Sequence, residues 1–374
     1  MLLVVLITFL VSFIVTLALV PLVKKVSLAI DFVDMPGERK VHQQPISLGG
    51  GIAIFLGIII TFTVALVCAY LLKVSAPIPW VPPDIYDYLP GVFQMIPRLS
   101  IIFIGASGIF ILGLFDDVKR LSASTKLLFQ IIIGIFVVAN GISFSLFLGP
   151  LGSWGQIISA LATVFWIVLI TNSYNLLDHM DGLSSGIAAI TAAVFMIIAL
   201  KTGQYFIASF LITIIGAAAA FLVFNFHPAK IFMGDAGSLL LGYFIAILTI
   251  QFTFYKEPQS YYALLTPVLV VAIPIFDTIV VIVIRFLNKK PVFIGDKNHL
   301  AHRLVALGLS VPDAVILIYV LTVCAGLSAI LLYCLNPDRL INLTGAIMVF
   351  GQVVLLLCIV TILEHTGRKN KNSE

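Results

Sequence analysis

The sequence predicts an all-α, polytopic integral membrane protein with about eleven transmembrane helices, its N-terminus outside and its C-terminus cytoplasmic. Three observations carry this. Of the 374 residues, 61% are hydrophobic and only 10% charged, with a mean hydropathy of +1.17, too little polar surface for a water-soluble chain of this length. Eleven apolar runs approach the roughly 20 residues that a helix needs to cross the hydrocarbon core. Threaded alternately, they divide the 21 Lys and Arg residues 16 to 5 in favour of the cytoplasmic side, as the positive-inside rule requires.

The runs are Leu2 to Val23, Leu48 to Leu72, Leu99 to Phe115, Lys126 to Ala139, Gln156 to Ile170, Leu183 to Leu200, Tyr205 to Phe224, Ala236 to Tyr255, Tyr262 to Phe286, Asp313 to Cys334 and Asn342 to Leu363. The first is followed, not preceded, by basic residues (Lys24, Lys25) and lacks a small-residue cleavage site. It reads as a retained anchor. The stretch Lys73 to Arg98, with six prolines and Trp80, reads as an ordered external loop. The fourth run is short, and the charge split supports it as a span. Asp277, inside the ninth run, is expected to face the interior and a partner, either Arg285 or the polar cluster. Cys68, Cys324, Cys334 and Cys358 lie in or at the ends of runs without paired spacing, so they read as small core residues. The whole chain, 1–374, forms a single transmembrane domain.

Polar chemistry collects in five stretches on one face of the membrane. In "DMPGERKVHQQPISLGGGIAIF" (Asp34 to Phe55) basic residues precede a triple glycine, which suits close approach of backbone to a ligand or to another helix. In "GLFDDVKRLSASTK" (Gly113 to Lys126) the adjacent carboxylates of Asp116 and Asp117 repel unless cations compensate, and Lys126 stands nearby. They suit a metal, a proton or a salt-bridged helix end. In "NSYNLLDHMDGLSSG", Asn172, Asn175, Asp178 and Asp181 recur every third residue, so on a helix they form a slowly turning stripe, each about 60° from the last. In "FNFHPAKIFMGDAGSLLLG" (Phe224 to Gly242) Asp235 precedes a helix start that offers amide groups to a phosphate, with an ordinary N-cap as the plainer alternative. In "GDKNHLAHRL" (Gly295 to Leu304) His299, His302 and Arg303 share a helical face suited to phosphate oxygens.

These stretches together supply carboxylates and amides for a divalent cation and basic residues for phosphate, with no activated Ser or Cys, no Walker A sequence and no His-Glu-x-x-His. They imply a substrate with phosphate groups and a lipid tail. A secondary transporter of an anionic substrate and an intramembrane aspartyl protease are the rival readings. A transporter tends to place its site at the midplane between repeats, and a protease leaves the stripe and the histidine loop unused.

As a set, the ordered motifs "DMPGERKVHQQPISLGG", "LFDDVKR", "NSYNLLDHMDG", "NFHPAKIFMGDAGSLLLG", "PIFDT" and "GDKNHLAHRL" resemble those of the polyprenyl-phosphate N-acetylhexosamine-1-phosphate transferase family. The resemblance spans nearly the whole chain. It implies magnesium-dependent transfer of a sugar-1-phosphate from a UDP-sugar donor to a polyprenyl phosphate acceptor in the cytoplasmic (inner) membrane, with manganese as a possible substitute metal. The product would start a cell-envelope polysaccharide. It implies that Asp235 and Asn175 hold the metal, and that Asp116, Asp117, Asp178 and Lys126 form the catalytic set, the aspartate pair positioning or deprotonating the lipid phosphate. Asp181, Asn225 and Phe232 fall where the family contacts uridine, and His299, His302 and Arg303 where it contacts sugar and pyrophosphate. A homodimer is compatible with this reading, and nucleic acid has no part in it. The chain departs from the family pattern twice: His179 stands where glycine is common between the two acidic residues, and Ala301 where a histidine is usual. The absence of "PTMGG" and of a histidine run points away from the peptidoglycan branch and towards UDP-N-acetylglucosamine, with other UDP-N-acetylhexosamines behind it.

Overall fold

The computed structural model describes residues 2–35, 44–79, 81–144, 151–251, 265–289, 291, 298–334 and 343–371. A bilayer offers no water to backbone amides and carbonyls, so continuous apolar runs become helices that satisfy those groups internally. In order they are α1 (Leu2–Ala29), α2 (Gly50–Val74), α3 (Pro83–Gln94), α4 (Ile96–Lys119), α5 (Ala123–Ala139), α6 (Ser153–Leu177), α7 (Leu183–Lys201), α8 (Tyr205–Asn225), α9 (Gly234–Gln251), α10 (Thr266–Val270), α11 (Ala272–Leu287), α12 (Leu300–Ala306), α13 (Val311–Cys334) and α14 (Leu343–Lys371). Among the described residues, nine helices are long and apolar enough to cross a membrane: α1, α2, α4, α6, α7, α8, α9, α13 and α14. The fourth run forms the shorter apolar helix α5, of 17 residues.

Three expectations need correction. The described part of the ninth run is not one helix but breaks into α10 and α11 at Val271 (φ −100°, ψ 20°). Pro274 supplies the reason: without an N–H it cannot extend the ladder from α10, and it sits instead in the first turn of a restarted helix, where that donor is dispensable. The stretch read as an external loop contains helix α3, with Pro83 at its first position, where the fixed φ of proline favours initiation; Trp80 lies outside the described residues. Cys68 and Cys358 are exposed rather than in the core, because they lie on the outward faces of α2 and α14, where lipid replaces protein.

Helix α9 is the centre of the molecule, with 83% of its span buried and packed chiefly by α6, α4 and α2. On α1 and α14, by contrast, Leu6, Ile14, Leu355 and Ile362 are each more than half exposed, as lipid-facing surfaces should be. Two glycines decide how closely the neighbours approach α9. A Cβ on Gly113 of α4 would lie 2.4 Å from Ala236 Cα, and one on Gly51 of α2 would lie 2.4 Å from the Gly237 nitrogen. The triple glycine therefore serves helix packing. Amides of the first turn of α2, which lack intrahelical partners, are satisfied by the segment before α9: Gly50 N donates to Phe232 O (3.0 Å) and Gly51 N to Met233 O (2.8 Å). A short antiparallel pair, β1 (Val33–Asp34) with β2 (Ile46–Ser47), completes this corner, and Phe232 N donates to Ser47 O (2.8 Å). Arg39, Lys40 and His42 lie outside the described residues.

Several buried polar groups within the bundle pair across helices, where no water is available to them. Trp166 Nε1 donates to Thr249 Oγ1 (2.8 Å) and Tyr243 Oη to Ile102 O (3.2 Å).

Candidate active site

Adjacent residues on a helix diverge by about 100°, and this separates Asp116 from Asp117 at the end of α4. Asp116 turns towards α5. Its Oδ1 accepts from Leu121 N (2.6 Å) and its Oδ2 from Lys126 Nζ (2.7 Å). Lys126 is set there because Ser122 N-caps α5, its Oγ accepting from Thr125 N at 3.1 Å. The same ammonium donates to Asp235 Oδ2 at 3.1 Å. Two carboxylates, from α4 and from the start of α9, thus converge on one cation.

Asp117 turns towards α9. It accepts from Asp235 N (2.7 Å) through Oδ1 and from Ala236 N (3.1 Å) through Oδ2. This corrects two expectations for the start of α9: Asp235 is not its N-cap, and its first amides are engaged by a carboxylate from α4 rather than open to phosphate. The arrangement depends on Gly234, whose φ is +70° and whose missing Cβ would lie 2.6 Å from Asp117 Oδ2.

Asn175 donates from Nδ2 to Ser238 Oγ (3.0 Å) and faces the Asp235 carboxylate. A cation ligand must present oxygen, whereas this amide presents N–H and orients Asp235. Its Oδ1 is the atom of this side chain that a cation would take. Among the described residues, no three His, Cys, Asp or Glu are arranged to hold a metal by themselves. The carboxylates of Asp116 and Asp235 suit a hard cation that completes its shell with phosphate oxygens and water.

The stripe of four polar residues is not continuous. Helix α6 ends at Leu177, and Asp178 is its C-cap (φ −81°, ψ 39°), so only Asn172 and Asn175 lie on the helix while Asp178 and Asp181 lie in the turn that Gly182 closes. Asn172 is not in the site: it bonds Gln130 of α5 and Val168 O, joining α5 to α6. Asp178, half-buried, is held well above the usual carboxylate range, first by burial and then by the negative charges of Asp235, Asp117 and Asp181. Asp181 is anchored, its Oδ2 accepting from Ala229 N (3.0 Å) and lying 2.8 Å from His227 Nδ1.

Asn225 is held on both sides by backbone. Its Oδ1 accepts from Gly182 N (3.0 Å), its Nδ2 donates to Ile231 O (2.9 Å), and only 3% of it is exposed. It ties the α6–α7 turn to the segment before α9. Phe232, half-buried, lies in that segment. Asp277 finds its partner in the polar cluster: its Oδ2 lies 2.8 Å from His299 Nδ1, and its Oδ1 accepts from Leu300 N at 2.6 Å. This fixes the start of α12, which carries half-buried His302 and buried Arg303. Lys297 lies outside the described residues. Sequence reasoning missed Gln130, His227 and Ser238; only the His-Pro step in "NFHPAK" could have drawn attention to the second.

The motifs that meet here can be compared with those of known proteins. Residues 99–253, from α4 through α9, match the family model described as glycosyl transferase family 4. The chain is 34% identical over 368 residues to a probable undecaprenyl-phosphate N-acetylglucosaminyl 1-phosphate transferase of Bacillus subtilis, covering 98% of this chain and 93% of that protein. It is 31% identical to a decaprenyl-phosphate N-acetylglucosaminephosphotransferase of Mycobacterium tuberculosis, over 86% of this chain and 81% of the relative. To an undecaprenyl-phosphate alpha-N-acetylglucosaminyl 1-phosphate transferase of Escherichia coli it is 27% identical, over 79% and 75% respectively. With similarity running almost end to end, and with the carboxylate cluster inside the matched segment, the chain belongs to glycosyl transferase family 4.

Proposed function

We propose that the chain transfers N-acetylglucosamine-1-phosphate from UDP-N-acetylglucosamine to a polyprenyl phosphate, releasing UMP, at the cytoplasmic face of the inner membrane. The observation that carries the reading is the convergence of Asp116 and Asp235 on one ammonium group, where α4 and α5 meet the start of the buried helix α9. The activities named for the relatives point the same way.

Attack by a lipid phosphate on the β-phosphorus of the donor brings two anions together, so the site must lower their repulsion. Asp116 and Asp235 would hold magnesium, which supplies Lewis-acid charge to the pyrophosphate oxygens. Lys126 is within reach of both carboxylates and supplies the nearest protein cation, while His302 and Arg303 of α12 would add donors for the sugar and pyrophosphate. A phosphate monoester is largely ionised at neutral pH, its second pKa being about 6, so no strong base is needed. Asp117 acts through its grip on α9, and Asn175 through its grip on Asp235.

The test is UMP release by purified protein with undecaprenyl phosphate and UDP-N-acetylglucosamine, with and without magnesium, beside UDP-N-acetylgalactosamine and UDP-N-acetylmuramoyl-pentapeptide. Magnesium-dependent release with UDP-N-acetylglucosamine is expected. Release only with another donor would change the sugar, and folded protein silent with all three would overturn the reading.

A further inference from the structure

The α6–α7 turn carries a histidine that the mechanism above does not use. The His179 ring stacks on His299 (centroids 4.3 Å apart, planes at 28°) and lies against His302 (4.7 Å, 38°). One ring of the turn thus bridges two rings of the α12 segment. Its Nδ1 lies 2.8 Å from Leu176 O; a carbonyl only accepts, so Nδ1 carries the proton. That bond fixes the ring to the last turn of α6. On the other side, His299 is fixed through Asp277. The stack therefore joins two anchored elements, α6 and α11, across the gap between the Asp178–Asp181 turn and α12.

We propose that His179 is a positioning residue for the nucleotide-sugar donor: through ring stacking it holds His299 and His302 against the turn that carries Asp178 and Asp181, so that the two segments form one wall of the site. The inference rests on the transferase reading above. Burial, and next the neighbouring His299, push the pKa of His179 down to about 3, so it is a neutral ring between two others and adds no charge of its own to the wall. Its Nε2 is enclosed and has no hydrogen-bond partner among the described residues. The shape of the ring and its bond to Leu176 are then its available contributions, and they can be separated by substitution.

The experiment measures kcat and KM for donor and acceptor separately in full-length H179G, H179N and H179F, with thermal melting in detergent as the control for folding. Phenylalanine keeps the ring without its nitrogens; asparagine keeps a donor for Leu176 O without the ring. Loss of two ring contacts of ordinary strength corresponds to about a tenfold effect. Expected are an approximately tenfold rise in donor KM for H179G and H179N, an unchanged acceptor KM, and H179F within about twofold of the parent. Unchanged donor KM in H179G and H179N would overturn the proposal, as would H179F behaving like H179G. Failure of the parent protein to release UMP with any donor would instead overturn the transferase reading itself.

Discussion

Two polar regions lie close together in this molecule and are built from the same kinds of side chain, yet they are held in different ways. In the Asp116–Lys126–Asp235 cluster the carboxylates share an ammonium on a flexible four-carbon stem, a partner that can rearrange when other charges arrive. In the Asp181–Asn225–His227 corner the side chains bond the backbone at Gly182, Ala229 and Ile231, partners that cannot move without moving the chain. Every polar group in an apolar surrounding needs a partner. The nature of the partner separates residues available to a substrate from residues that shape the site.

This comparison can be broken most directly at Asp235. Asp235→Ala is expected to lower UMP release by about 10²–10³-fold, the usual loss when one preorganised electrostatic group is removed, with little change in melting temperature. A large loss of stability with proportionate activity would place Asp235 among the scaffold residues. Asp117→Ala should behave in the opposite way. It removes two bonds between a carboxylate and the first amides of α9, and charge-assisted bonds of this kind contribute about 1.5–3 kcal/mol each. Denaturation should show a loss of that order, and unchanged stability would remove Asp117 from its capping role. Asn225→Ala leaves a buried amide at Gly182 and a carbonyl at Ile231 unsatisfied, and should cost about 1–3 kcal/mol. A variant of normal stability with a raised donor KM would return Asn225 to the substrate.

The smallest expected effect sharpens the comparison through pH. In the folded, metal-free protein the Asp178 carboxyl is held above its ordinary value of 3.8, so over that interval the folded state binds a proton that the unfolded chain has lost. Stability from this group therefore falls as pH rises through the interval. Asp178→Asn should raise the melting temperature of metal-free protein at pH 7–8, with the gain shrinking as pH approaches about 4. A gain independent of pH would mean that Asp178 is not under the influence of its acidic neighbours.

How far the sequence carried depended on the range of the interaction. The spans were legible because bilayer thickness acts on consecutive residues, so α2, α4 and α8 lie where their apolar runs lie. The run broken among the described residues was poorly legible, since Val271 and Pro274 interrupt it without a change in hydropathy. Asp116, Lys126 and Asp235 were legible as members of one polar cluster because carboxylates and cations are conspicuous in so apolar a chain. Asn172 was misplaced for the same reason: its partner, Gln130, lies on another helix, and nothing near Asn172 in sequence announces an amide pair.

By itself the sequence determined that the chain is a helical membrane protein, which faces are apolar, and which few residues carry charge at the ends of its spans. Local composition is sufficient for this, because solvation by lipid or water is decided residue by residue. Only the tertiary structure decided that Asp116 meets Lys126 while its neighbour Asp117 caps α9, that Asn225 is satisfied by backbone, and that His179 bridges His299, the N-cap of α12, and His302 within it. Those assignments depend on hydrogen bonds and ring contacts a few ångströms long between residues as many as 123 positions apart, His179 and His302 (302 − 179), and such distances are set by helix packing, through Gly51 and Gly113, rather than by the order of the residues.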